Sequence, residues 1–350
     1  MPLKTKRGAS LVAQDADTQK LQAALSRMGL TEPGEVPHLE PLTGGVSSLI
    51  MRADTRRGPV CVKCALAKLK VASDWFAPVE RNTAEVAWMR TAAAIAPQAV
   101  PAILGEDQEA RAFAMAYLAP DAHPVWKAQL RDGKVDREFA VSLAATLVRI
   151  HAATAHNAVL AKTFAHDATF FEIRLDPYLG ATSRVPAHAG VADALQALIR
   201  TTASHRMALV HGDVSPKNIL CGPHGPIILD AECAWYGDPA FDIAFLLNHM
   251  LLKCLWNPPV APAYLGCFMA MAQAYLAGVS WEPREAIEAR AARLLAGLFL
   301  ARVDGKSPVE YINDDASKNK VRKVATALLR TPPGTFEQVR AAWAAELGLS

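Results

Sequence analysis

One mid-chain segment constrains this sequence more than any other, because acid and amide side chains recur in it around two strand-like runs. It reads His211-Gly212-Asp213-Val214-Ser215-Pro216-Lys217-Asn218-Ile219-Leu220-Cys221, then Gly222-Pro223-His224-Gly225-Pro226, then Ile227-Ile228-Leu229-Asp230-Ala231-Glu232. Apolar runs on either side of a Gly- and Pro-rich turn predict a hairpin. A hairpin returns the end of its second strand to the loop that enters the first, so Asp213 and Asn218 are expected beside Asp230 and Glu232. Acceptor oxygens gathered in this way suit phosphoryl transfer. One carboxylate orients an attacking hydroxyl and takes its proton, while hard oxygens hold magnesium against a triphosphate. Each fragment alone fits a surface turn or a strand-end cap equally well; the argument for chemistry lies in their joint order and spacing.

The flanking patterns divide the 350 residues. Asp15 to Met28 reads as a helix closed by Gly29, and Pro33, Gly34 and Pro37 mark irregular chain after it. Leu42 to Ala53 and Val60 to Ala65 flank a turn at Arg57, Gly58 and Pro59, a second hairpin. Pro78 to Ile95 has helical spacing and ends at Pro97, and short strands are expected near Ile103 and from Ala112 to Tyr117. Beyond Pro120 the pattern is mainly helical, with Asp136 capping a helix whose Phe139, Leu143, Leu147 and Ile150 share one face. The expected fold class is α+β with two lobes: an N-terminal tail and helix over 1–36, a small antiparallel-sheet N-lobe over 37–118, and a larger, mainly helical C-lobe over 119–350.

Composition narrows the partners. The chain is 51% hydrophobic and 20% charged, and its formal net charge of +3 is scattered, so no basic block points to nucleic acid. Lys4, Lys6 and Arg7 are not followed by an apolar core of signal-peptide length, and no window holds eighteen uninterrupted apolar residues. A cytoplasmic protein with no membrane partner is the expectation. The six cysteines read as reduced thiols. Cys61 and Cys64 together with Cys221 and His224 have the residue types of a zinc site, but strand alternation sends the first two to opposite faces.

The His211-Gly212-Asp213 loop with Asn218, and the following Asp230-Ala231-Glu232, resemble the aminoglycoside phosphotransferase and choline kinase superfamily, whose fold is protein-kinase-like. The resemblance spans residues 40–250 in outline. It implies Asp213 as catalytic base, Asn218 and Asp230 as magnesium ligands with Glu232 assisting, and ATP as phosphate donor. Gly237-Asp238-Pro239-Ala240-Phe241-Asp242 matches a further family segment, in which the later acid hydrogen-bonds the catalytic loop.

The same resemblance assigns the nucleotide side. Lys63 is the one charged residue in the apolar run Val60 to Ala65, and a buried ammonium needs a partner. In the family pattern it touches phosphates and pairs with a glutamate of the next helix, here Glu85, or failing that Glu80. Gly44, Gly45 and Ser47 form a turn whose backbone would cover phosphates, although it departs from Gly-x-Gly-x-x-Gly and also reads as a plain turn. Met115, Tyr117 and Leu118 correspond to the adenine-binding hinge, or else to an ordinary core strand.

Protein kinases carry Arg where this chain has Gly212, and a long segment where it has only Ala231 to Tyr236. A small hydroxyl-bearing molecule is therefore the expected acceptor: sugar-like, amino-alcohol or aminoglycoside-like. Val62 to Lys70, continuing through Trp75, Pro78, Glu80 and Arg81, resembles methylthioribose kinase, which typically lacks the loop Asn present here. Trp235, Tyr236, Asn248, His249 and the stretch Arg302 to Lys306 are candidates to line the acceptor pocket, and each reads equally well as structural. A nucleotide-binding pseudokinase or sensor, or an AMP transferase on the same fold, are the rival readings, and the oligomeric state is left open.

Overall fold

Alternation along three strands decides how the first sheet packs. In the computed structural model, which describes residues 5–42, 48–65 and 81–349, β1 (His38–Pro41), β2 (Ser48–Thr55), β3 (Gly58–Ala65), β4 (Ile103–Asp107) and β5 (Ala112–Ala116) form an antiparallel sheet in the order β1-β2-β3-β5-β4. Val60, Val62 and Cys64 of β3, Ala112 and Ala114 of β5, and Met51 and Ala53 of β2 make one face. Leu21, Ala24 and Leu25 of helix α1 (Thr5–Arg27) bury against it. Alanines on β5 leave room for that helix. The intervening residues Cys61 and Lys63, paired in register with Met115 and Phe113, lie on the opposite face. Cys61 and Cys64 are thus separated by the sheet, as alternation required.

Thr55 pairs with Gly58, which sets the β2–β3 turn at Arg56 and Arg57, slightly earlier than the sequence implied. Helix α2 (Arg81–Ile95) follows the sheet's first three strands. By compactness the chain divides into Met1–Arg90 with Pro101–Ala119, and Thr91–Val100 with Pro120–Ser350. Helix α1 belongs to the first of these units.

The second unit is mainly helical. Asp136 accepts a hydrogen bond from the Phe139 N–H (3.0 Å) at the start of helix Arg137–Thr154, whose Leu143, Leu147 and Ile150 are fully buried. Helix Ala240–Trp256 is buried from Ala240 through Cys254, which is why its sequence is apolar nearly all round. Pro258–Gly278 is long and apolar enough to cross a membrane by length and composition; its helical part buries Tyr264, Phe268, Met271 and Tyr275 within the unit. The expected mid-chain hairpin is β7 (Ile219–Gly222) with β8 (Gly225–Ile228). A second pair, β6 (Ala208–Val210) with β9 (Trp235–Gly237), was not expected, since three residues are too few to show a period.

Candidate active site

The loop after β6 turns sharply, and its geometry explains its residues. Gly212 has φ +81, and a Cβ there would stand 2.8 Å from the carbonyl oxygen of Cys233 and 2.9 Å from its Cβ. Glycine at this point is a packing requirement. The fully buried Asp242 fixes the turn by accepting the N–H groups of His211 (2.7 Å) and Gly212 (2.8 Å), and its own carboxylate is held by His151 Nε2 at 3.2 Å. His151 Nδ1 in turn meets the Tyr275 hydroxyl at 2.8 Å. His211 ties the loop to the end of β8: its Nδ1 accepts the Asp213 N–H (3.1 Å) and its Nε2 faces the Leu229 carbonyl (3.1 Å). Those roles require the neutral Nε2–H tautomer. Burial favours the same form, lowering the pKa of this imidazole.

Asp213 is 5% exposed and meets two cations, Lys217 Nζ and Arg174 Nη2, each at 3.1 Å. Burial alone would raise its pKa; the charges of Lys217 and Arg174 outweigh burial and hold the carboxyl below its usual range. It is ionised at neutral pH. Lys217 shows the reciprocal effect. Its surroundings oppose charge, but Asp213 and Asp230 prevail and push the ammonium up to about 12.

Arg174 escaped the sequence reading. It also donates through Nε to the Gly212 carbonyl, so it clamps both the turn and the carboxylate. It comes from Phe171–Gly180, a helical segment with π-type hydrogen bonding that contains Pro177, a form often found near functional sites. Its signal was the same as that of Lys63: a lone cation between apolar neighbours, here Ile173 and Leu175.

Asn218 closes a 3₁₀ turn, Pro216–Asn218, and its Nδ2 donates to the Asp213 carbonyl at 3.0 Å. That bond directs the amide nitrogen inward and leaves Oδ1 as an acceptor. Asp230 stands two residues beyond β8 with φ +68, a left-handed conformation uncommon for a residue with a side chain. Its charge acts on both Asp213 and Lys217, and that of Glu232 acts on Arg174. Asn218 is thus bonded to the Asp213 loop, and Asp213 lies within electrostatic reach of Asp230. Among the described residues no three His, Cys, Asp or Glu side chains make a metal site by themselves. Two carboxylates and one amide oxygen fit magnesium, a hard cation that takes few protein ligands and completes its shell with phosphates and water.

Trp235 and Tyr236, suspected of lining the acceptor pocket, are structural. The Trp235 indole donates to Asp167 (3.0 Å) and stacks on Phe170 with centroids 4.4 Å apart. The Tyr236 hydroxyl bridges the Asn157 N–H (2.7 Å) and the Met207 carbonyl (3.0 Å).

In the sheet unit, Lys63 Nζ reaches both oxygens of Glu85, at 2.8 Å and 2.7 Å, with side chains only 3% and 1% exposed. Met115 lies on the Lys63 face of β5 and is buried. The strand ends at Ala116, so Tyr117 and Leu118 follow it instead of belonging to it; the Tyr117 ring stands 5.0 Å from the Arg52 guanidinium. Gly44, Gly45, Ser47 and the fallback Glu80 lie outside the described residues.

No curated protein matches the chain by sequence. Among solved structures, a choline/ethanolamine kinase family protein from Mesorhizobium loti is similar at 19% identity and TM-score 0.53, covering 95% of this chain and 99% of that one. A spectinomycin phosphotransferase in complex with ADP and spectinomycin is similar at 13% identity and TM-score 0.50, over 91% and 98% of the two chains. An amicoumacin kinase in complex with AMP-PNP and Ca2+ gives 14% identity and TM-score 0.52, over 88% and 93%. Identities this low show a shared fold, two-lobed and α+β. The model of the phosphotransferase enzyme family matches residues 38–266. That stretch is well over half of the sequence and takes in Lys63, Glu85, Asp213, Asn218 and Asp230, and the chain therefore belongs to the phosphotransferase enzyme family.

Proposed function

We propose that this phosphotransferase is an ATP- and magnesium-dependent kinase of the cytoplasm that transfers the γ-phosphate to a hydroxyl group of a small molecule. The observation that carries the reading is Asp213: a buried carboxylate, kept ionised by Lys217 and Arg174, on a turn that Asp242 and His211 hold rigid. Such a group accepts the hydrogen bond of an alcohol, aims its oxygen and takes its proton as the bond to phosphorus forms. Asp230 and the Asn218 Oδ1 would hold magnesium, with Glu232 assisting, and the ion supplies charge neutralisation along the phosphates. Lys63, fixed by Glu85, contacts phosphate oxygens. The backbone at Met115, Tyr117 and Leu118 would take adenine.

A small acceptor is favoured because only Ala231 to Ala234 separate Asp230 from β9, too little chain to dock a peptide. The test is magnesium-dependent ADP release from ATP across a panel of alcohols. Release should require both an alcohol and magnesium and should fall away in Asp213→Ala; full release without any alcohol, or undiminished release in that variant, would refute the proposal.

A further inference from the structure

The helical unit holds a second set of polar side chains that this chemistry leaves unused. It runs along helix Ala240–Trp256. Asp242, which holds the Asp213 loop, is followed at helical spacing by Phe245, His249, Lys253 and Trp256, one stripe of the helix. At 1.5 Å per residue, His249 stands about 10 Å along the axis from Asp242. The segment Phe171–Gly180 flanks the same stripe. Arg174, which grips Asp213, is followed four residues on by Tyr178, whose ring meets Phe245 edge-on (5.6 Å) and whose hydroxyl accepts from Arg302 Nη1 (3.3 Å).

Among the described residues of this unit, the buried side-chain polar atoms without a hydrogen-bond partner are Ser215 Oγ, both amide atoms of Asn248, His249 Nε2, Arg302 Nε and the Tyr311 hydroxyl. Folded proteins leave few such atoms. Here they lie on the catalytic loop, on this helix, and on Arg302 and Tyr311. Their charged neighbours are nearly all of one sign. The Lys253 ammonium is 4.2 Å and 4.1 Å from the ring centroids of Trp256 and Tyr311, which stack on each other at 4.3 Å. Glu310, whose charge reaches Lys253, is paired with Lys127. Arg302 donates to the Ser307 carbonyl and to Tyr178, and forms no ion pair with a carboxylate among the described residues. Burial, with Lys127 and Arg302 close by, pulls Lys253 down to about 7. Burial and the surrounding cations keep His249 neutral.

We propose that this cluster is the acceptor subsite and that it takes an alcohol bearing an anionic group, a carboxylate or a phosphate ester, which sits against Arg302, Lys253 and His249 while its hydroxyl reaches Asp213. The inference rests on the kinase reading above and adds the acceptor's charge. An ammonium-bearing alcohol would meet uncompensated positive charge here.

Two series of alcohols that differ chiefly in end-group charge test it: gluconate, sorbitol and glucamine; and glycerate, glycerol and 3-aminopropane-1,2-diol. Glycerol 3-phosphate separates phosphate from carboxylate. Binding to the full chain is measured by calorimetry with ADP and magnesium present. The anion should bind about tenfold or more tighter than the neutral member of its series, and Arg302→Met and Lys253→Met should each erase most of that difference. Lys253→Met should at the same time raise the melting temperature by about 2 °C or more, because it removes a buried ammonium with no carboxylate partner, so its lost binding cannot be put down to unfolding. Equal affinities across each series, or preference for the cation, would overturn the inference. Anion binding with no ADP release from any alcohol would instead overturn the kinase reading and leave the subsite standing.

Discussion

Lys63 and Lys253 are equally buried, at 2% and 1% exposure, yet their surroundings are opposite. Lys63 has both oxygens of Glu85 within 2.8 Å, so the chain itself supplies the counter-charge. Lys253 has two aromatic rings, and its nearby carboxylate is already bound to Lys127. A buried pair such as the first is seldom the most stable solution, since apolar residues of equal volume often do as well. Its presence argues for a use of the ammonium. The second lysine lacks that internal partner, which the anionic acceptor proposed above would supply. The contrast separates a cation paired within the chain from one held without a carboxylate of its own.

The largest expected effect sets the scale for both lysines. Asp213→Ala should lower kcat by about 10²- to 10⁴-fold at saturating ATP while nucleotide binding measured by calorimetry persists. Lys63→Met should instead weaken kcat/KM for ATP, and unchanged kinetics would break the comparison at its first term.

Next in size is the cost of dividing the internal pair. Glu85→Ala should destabilise the protein by about 3 to 5 kcal/mol in urea unfolding, because it strands a buried ammonium. Lys63→Met combined with Glu85→Leu should recover most of that stability and none of the turnover. The same operation on the other lysine should have the opposite sign. Lys253→Met should stabilise by on the order of 1 to 3 kcal/mol near neutral pH. With its pKa lowered from 10.5 to about 7, Lys253 penalises the fold fully below pH 7, and the penalty fades as pH rises toward 10.5. The gain should shrink accordingly in melts taken at pH 9.5.

The smallest effect concerns Asp213. Its depressed pKa places the acid limb of the rate profile below the usual carboxylate range, and the stability its ionised form contributes is present above that range and lost as pH falls through the folded value. Lys217→Met removes one of its two cations and should move the acid limb of kcat upward. Lys217 is half exposed, which keeps the shift modest.

Much of this was legible in the sequence because it rests on local rules. The β7–β8 hairpin follows from its Gly- and Pro-rich turn and the cap at Asp136 from its position before an apolar periodicity; the cost of an unpartnered charge in an apolar strand called for a partner to Lys63, and the family resemblance pointed to Glu85. Arg174 was missed because it reaches the Gly212 carbonyl from thirty-eight positions upstream, with no motif to mark it. Trp235 stayed undecided between pocket and core for a related reason: its place beside the acidic Asp230 and Glu232 was visible, while the strand pairing of β9 with β6 that accompanies its burial was not. His249 and Asn248 could be named from the sequence only as possible pocket residues. What distinguishes them, unpaired polar atoms at zero or near-zero exposure, exists only once the chain is folded.

The most direct test is to follow the two ends of the nucleotide separately, supplying ATP labelled at the α- or the γ-phosphate together with magnesium and the alcohol that best stimulates ADP release. The account predicts γ-label in the product, none of the α-label, and loss of transfer in Asp213→Ala. Appearance of α-label in a product would mean that AMP is moved instead, and would contradict it.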